Sequence, residues 1–148
     1  MKVMNEFYYL RELSRDEINS MFDKLTEIWD ISNHYWFPLY DTNVNSVIAF
    51  DSVAFESHFG FVKLREILND INEIIEIRES RYKGYIVKLE SFEPSYESIG
   101  EGYWFDENMN WIIYCSHEGS TTFGGEWLIN SIKNDWNDWE KHIFYVTQ

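Results

Sequence analysis

The chain has 148 residues, of which 45% are hydrophobic and 19% aromatic. This is enough apolar material for one domain with its own core, so global disorder is excluded. The 26 acidic and 12 basic residues give a formal net charge of −14. Such a charge repels nucleic acid and anionic membranes, so direct binding to either is not expected, whereas a basic protein is attracted.

The acidic excess is concentrated in two regions of the chain. No lysine or arginine occurs between Leu89 and Ile132, a span of 44 residues with eight carboxylates, and the stretch from Leu25 to Val62 adds five more. Many of the aromatic residues lie in the same stretches. Acidic residues interleaved with aromatic ones are typical of surfaces that bind basic partners, and they also occur in ordinary acidic domains.

Cysteine content and hydropathy indicate a compartment. Cys115 is the only cysteine, so no intramolecular disulfide can form, which favours a reducing environment. Residues 1–7 lack the apolar segment of a secretory signal, and no apolar run approaches the roughly 18 residues that cross a bilayer. We therefore expect a cytoplasmic protein.

The first predicted element is a helix that begins at a capping box formed by Ser14 and Glu17 and ends near Asp30. Its apolar residues recur at spacings of three and four, as expected for one buried helix face. They are Ile18, Met21, Phe22, Leu25, Ile28 and Trp29.

The next segments predict short extended elements and a second helix. Residues 34–40 are aromatic and indicate a strand or an ordered loop, and a turn at 41–45 separates them from a short strand at 46–50. After a turn at 53–59, a helix is predicted over residues 61–72, because its apolar positions again follow a helical spacing.

From residue 73 onward the hydrophobic period changes to two. Residues 73–78 and 85–92 predict one hairpin, and residues 101–105 and 111–117 predict another. A third strand at 120–123 extends the second hairpin into a meander.

The last predicted element is a helix that begins near Glu126 and runs to about Asn134, or as far as His142. Its apolar positions are Trp127, Leu128, Ile132, Trp136, Trp139 and Ile143. Because the strands cluster in the second half instead of alternating with helices, the pattern predicts an α+β single domain. We expect a mainly antiparallel sheet of five to six strands, with three helices packed on one side of it.

The densest group of reactive side chains is at residues 115–122. On a strand, Cys115 and His117 point to the same face, and a thiolate beside an imidazole is a possible nucleophile and base. Together with Glu118 and Thr121 they form a candidate small-molecule or hydrolase site. The alternative is a buried cysteine in a core strand and a histidine satisfied at the strand end.

No motif predicts a cofactor or a metal site. The four histidines are scattered without the spacing of zinc ligands. The glycine-rich segment at 119–125 lacks the lysine of a phosphate-binding loop. A carboxylate pair for sugar hydrolysis is a further alternative, but acidic pairs are too numerous here for any one to stand out.

The aromatic residues divide into two predicted sets. Four occupy periodic positions and are expected in the core, namely Phe22, Trp29, Trp111 and Trp127. The C-terminal acidic segment, residues 135–140, instead places two indoles among carboxylates, and such rings are common at protein interfaces. We predict a partner-binding surface that combines this segment with the exposed turn at Asp106 and Glu107. The residues of the segment are Asp135, Trp136, Asp138, Trp139 and Glu140.

These features favour a non-enzymatic, acidic protein-binding module. An immunity protein or antitoxin that neutralises a basic nuclease toxin is the most specific form of this hypothesis. Two alternatives remain: the small-molecule binder or hydrolase at residues 115–122, and a nucleic-acid mimic whose carboxylates replace phosphates on a DNA-binding partner.

Overall fold

A computed structural model of the protein describes residues 9–31, 46–78 and 83–145. The strands are β1 (Tyr9–Glu12), β2 (Val47–Asp51), β3 (Glu73–Arg78), β4 (Gly84–Lys88), β5 (Gly102–Phe105), β6 (Ile112–Cys115) and β7 (Ser120–Gly124). The α-helices are α1 (Arg15–Trp29), α2 (Ser52–Ala54), α3 (Phe61–Ile67), α4 (Tyr96–Ile99) and α5 (Glu126–Asp135). A π-helical turn (Phe55–Phe59) continues α2, and 3₁₀ turns occupy Leu89–Ser91 and Trp139–His142.

The seven strands of the described residues form one antiparallel sheet in the order β1-β4-β3-β5-β6-β7-β2. The α+β class and the meander β5-β6-β7 are confirmed, although the sheet has more strands than expected. Strand β1 was not predicted, because the sequence Tyr-Leu-Arg-Glu of an exposed edge strand has no apolar alternation. The predictions for residues 34–40 and 41–45 lie outside the described residues.

Helix α1 is built as its sequence predicts. The Ser14 hydroxyl accepts a hydrogen bond of 3.1 Å from the Glu17 amide, and the Glu17 carboxylate accepts one of 2.8 Å from the Ser14 amide. The helix ends at Trp29, whose indole donates to the Met109 carbonyl at 3.2 Å. This bond fastens the end of α1 to the turn between β5 and β6.

Helices pack on both faces of the sheet, so the expectation that they lie on one side is wrong. On one face, the apolar stripe of α1 packs against β3, β5 and β6; Phe22 and Tyr103 meet edge to face at 6.1 Å. On the other face, α3, α5 and the π-helical turn cover Phe50, Trp104 and Phe123. Because both faces are covered, β5, β6 and β7 are buried along their whole length, as is usual for the central strands of a layered fold.

Candidate functional site

Trp136 lies in the core rather than on the surface predicted for it. Its ring centroid is 5.1 Å from that of Phe50 and 5.8 Å from that of Phe59, and the ring stacks on His142 at 5.2 Å. Helix α5 ends at Asp135, and Trp136 follows in an extended conformation that turns its ring inward. The expectation of an exposed indole at this position is therefore wrong.

Trp127, which was expected in the core, is instead on the surface with 51% of its area exposed. The buried residues of α5 are Leu128, Ile129 and Ile132. At 100° per residue these three define a stripe, and Trp127 projects from nearly the opposite side of the helix. The sequence contained a signal for this exposure, because Trp127 and Ile132 are five positions apart and residues at that separation lie on different sides of a helix.

The rest of the C-terminal acidic segment is exposed but partly neutralised. Asp135, Asp138 and Glu140 are exposed, and Trp139 is half-buried. The Lys133 ammonium lies 4.2 Å from the centroid of the Trp139 ring, and the Lys141 ammonium lies 3.6 Å from Asp138. Lys141 thus offsets the charge of Asp138, while Lys133 contacts the ring of Trp139.

Asp106 organises the turn between β5 and β6 and is almost fully buried. Its Oδ1 accepts hydrogen bonds of 3.1 Å from the backbone amides of Asn108 and Met109. The predicted exposure of Asp106 is wrong, because a short acidic side chain that accepts from the following amides folds back onto its own turn. Glu107 is exposed, as predicted.

The two parts of the predicted surface lie at opposite ends of the sheet. The Asp106 turn joins the end of β5 to the start of β6, and β7 ends beside the start of β6, where Ile112 pairs with Gly124. Helix α5 begins just after the end of β7, and its 10 residues extend about 15 Å. The far end of α5 places Trp136 against Phe50, which pairs with Thr121 near the start of β7. The two parts therefore do not form one patch.

A groove with an acidic rim lies beside the Asp106 turn, and we call it the acidic groove. Its volume is about 480 Å³. Four carboxylates line it, from Asp70, Glu73, Asp106 and Glu107. Apolar side chains of α1, β3 and β4 also line it, from Met21, Ile75 and Ile86. Carboxylates from the α3–β3 connection, the start of β3 and the β5–β6 turn meet here around an apolar patch.

Arg11 is the one basic residue among the described residues that line the acidic groove. Its guanidinium donates two hydrogen bonds to Glu17, at 3.0 and 3.1 Å. The bonds from Arg11 and from the Ser14 amide lower the pKa of Glu17 to about 2. In turn, the hydrogen bonds to Glu17 raise the pKa of Arg11. Arg11 also attracts the carboxylate of Glu73, so this one cation offsets part of the charge of the four lining carboxylates and leaves a net negative charge in the groove.

Two further, more open grooves lie near the acidic groove and share lining residues. Asn72 lines both the acidic groove and a neighbouring groove of about 670 Å³. Glu66 lines that second groove and also a third one of about 320 Å³ between α3 and α5, which we call the α3–α5 groove. The exposed Trp127 and Asp135 belong to this third groove.

The alternative site at residues 115–122 does not assemble a nucleophile and a base. Cys115 is buried, and its Sγ lies 3.2 Å from the Pro94 carbonyl and 3.9 Å from the Thr121 hydroxyl. Burial raises the pKa of the Cys115 thiol to about 12, so the thiol stays protonated near neutral pH. Thr121 is buried as well and shares a hydrogen bond of 2.8 Å with Ser52.

His117 is exposed and held between two carboxylates rather than beside Cys115. Its Nδ1 contacts Glu101, and its Nε2 lies 2.8 Å from Glu118. Strand β6 ends at Cys115, so the alternation that placed both side chains on one face no longer applies at His117. Both ring contacts are hydrogen bonds at once only when the imidazole carries two protons.

Within residues 9–31, 46–78 and 83–145, no three His, Cys, Asp or Glu side chains are grouped so as to bind a metal ion. In the same ranges, no helix combines the length and apolar character that crossing a bilayer requires. No family model, no curated protein and no solved structure matches this chain.

Proposed function

We propose that this protein is a non-enzymatic acidic module that binds a basic partner protein at the acidic groove. The observation that carries the proposal is the groove itself, in which three exposed carboxylates, the buried carboxylate of Asp106 and an apolar patch are accompanied by a single guanidinium that is already paired with Glu17. In its most specific form, the protein is a cytoplasmic immunity protein or antitoxin that neutralises a basic toxin such as a nuclease.

The groove has the chemistry that a lysine or arginine side chain requires. The aliphatic part of such a side chain can pack on the half-buried Met21 and Ile71, while its charged end reaches the exposed carboxylates. Asp70, Glu73 and Glu107 are exposed, so they face an approaching partner. Opposite charge also speeds association, which is valuable to an inhibitor that must reach its target before damage occurs.

The arrangement at residues 115–122 favours a binding module over a hydrolase. A nucleophilic cysteine needs an accessible thiolate beside a base. Cys115 is buried with a raised thiol pKa, and the ring nitrogens of His117 contact Glu101 and Glu118 instead.

A charge-matched pair of triple variants tests the proposal. Asp70→Asn, Glu73→Gln and Glu107→Gln together remove the exposed charges of the groove. Asp23→Asn, Glu27→Gln and Glu97→Gln neutralise the same number of exposed acids elsewhere. The basic partner is first isolated from a native lysate at low salt and identified, and its affinity for each purified variant is then measured by calorimetry.

We expect the groove variant to bind at least about tenfold more weakly, because several charge pairs are lost at once, and the control variant to change by less than about twofold. The salt dependence of the association rate should also flatten more for the groove variant than for the control. Equal weakening by both variants would indicate attraction by net charge alone and would reject the groove as the binding site.

A further inference from the structure

We infer that the α3–α5 groove is a second docking site, which takes a cationic helix of the partner and places an arginine side chain on the exposed indole of Trp127. The inference rests on the proposed function only in taking the partner to be basic. It concerns different residues from the acidic groove and can fail independently of it.

The α3–α5 groove is a continuous strip along one side of α5. Trp127, Ser131, Asn134 and Asp135 line it at successive helical turns, and Glu66 and Ile67 of α3 form the opposite wall. Half of the Trp127 surface is open to solvent, which is unusual for so large an apolar side chain. A partner that covers this ring gains apolar contact as well as charge pairing.

The charges of the groove select a cation. Two carboxylates, from Glu66 and Asp135, line it, and none of its described lining residues is a lysine or an arginine. The basic residues nearby in the sequence are engaged elsewhere: Lys63 lies 5.5 Å from the Phe59 ring centroid, Arg65 donates to the Phe92 carbonyl at 2.8 Å, and Lys133 lies over Trp139.

A guanidinium is the group that best fits both features. It stacks on an indole face through cation–π attraction, and its edge donates to a neighbouring carboxylate such as that of Glu66. A second copy of this chain is a poor occupant, because its net charge of −14 would bring like charges together at an already acidic strip.

The length of the α3–α5 groove predicts how far apart the partner's two arginines lie along its helix. Trp127 and Asp135 are eight positions apart on α5, about 12 Å at 1.5 Å per residue, so one cation cannot reach both. A helix lying along α5 has the same rise per residue and places two arginines at this separation when they are eight positions apart. Arginines four positions apart span only about half of it.

The test uses two alanine-based helical peptides of identical composition, one with arginines eight positions apart and one with arginines four positions apart. Each is titrated into the 148-residue chain, and the indole N–H resonance of Trp127 is followed by NMR. That resonance is identified as the one missing from Trp127→Phe, a surface variant that should fold normally.

We expect saturable shifts of the Trp127 resonance and at least about fivefold tighter binding of the peptide with the wider spacing. The double variant Glu66→Gln/Asp135→Asn should weaken that peptide about tenfold, whereas the charge-matched variant Asp23→Asn/Glu27→Gln on α1 should change its affinity less than about twofold.

Equal affinity for the two peptides, equal weakening by the two double variants, or an unmoved Trp127 resonance would overturn the inference. So would a concentration-dependent shift of Trp127 without peptide, since that points to a second copy in the groove. If neutralising the acidic groove weakens the natural partner but Glu66→Gln/Asp135→Asn does not, this second site is rejected and the proposed function stands.

Discussion

The indole of Trp104 donates a hydrogen bond of 3.0 Å to the carboxylate of Glu76, a glutamate with no exposed surface in the middle of the sheet. The Tyr9 hydroxyl donates to the same carboxylate at 2.9 Å and accepts from the Arg78 guanidinium at 2.8 Å. Burial and the charge of Glu76 raise the pKa of Tyr9, so the phenol remains a donor. This network connects β1, β3 and β5 and holds the edge strand to the sheet.

Glu76→Ala should lower the free energy of unfolding by about 3 to 5 kcal/mol, because it leaves buried donors without an acceptor and a guanidinium without its partner charge. Glu76→Gln should cost less, since its amide oxygen still accepts one bond. Chemical denaturation measures both. The exposed Glu73 on the same strand is the control, and Glu73→Ala should stay within about 0.5 kcal/mol of wild type. Equal effects at the two positions would contradict the network.

Trp136 is buried and Trp127 is exposed, the reverse of what the sequence predicted, so mutations at the two positions should affect stability differently. Trp136→Ala should destabilise the protein by about 3 to 5 kcal/mol, because it opens a cavity among Phe50, Phe55 and Phe59. Trp127→Ala should change stability by no more than about 0.5 kcal/mol. Thermal and denaturant unfolding compare the two directly. A large loss at Trp127 with none at Trp136 would mean that α5 is rotated from the orientation described here.

The Glu17 carboxylate should make stability depend on pH in the acidic range. Its pKa is lowered from 4.5 to about 2 by the bonds from Arg11 and the Ser14 amide. Between these values the unfolded chain binds a proton that the folded protein does not, so stability falls as pH decreases. Denaturation midpoints measured from pH 5 to pH 2 should therefore fall more steeply for wild type than for Glu17→Gln. Parallel curves for the two proteins would rule out this linkage.

Cys115 should be unreactive in the folded protein. Its thiol is buried and has a pKa raised to about 12. Reaction with an aromatic disulfide reagent at pH 8 should be at least about 100-fold slower in buffer than in concentrated guanidinium chloride, because the thiol must first be exposed by opening. The unfolded protein is its own control. Rapid labelling of the folded protein would restore Cys115 as a candidate nucleophile.

Local chemistry was enough to predict the elements whose signals lie within a few residues of one another. The capping box at Ser14 and Glu17 placed the start of α1, and short polar turns placed the meander of β5, β6 and β7. Strand β1 was missed because the contacts that hold it are long-range, namely its pairing with β4 and the bond from Tyr9 to Glu76. An edge strand with an exposed pattern carries no local signal of its own.

The candidate site was only partly predictable, because contacts between residues far apart in the sequence leave no local signal. Asp106 and Glu107 were identified and do line the acidic groove, but Asp70 and Glu73 join them from another part of the chain. Their meeting depends on how the α3–β3 connection and the β5–β6 turn are brought together by the sheet.

The amino-acid sequence alone determined the acidic excess, the antiparallel α+β class and the start of α1, because these follow from composition, periodicity and contacts between near neighbours. The tertiary structure alone decided which carboxylates share a groove and which tryptophans are buried. Burial at Trp136 and exposure at Trp127 depend on where α5 ends and which of its sides meets the sheet, and those are properties of long-range packing.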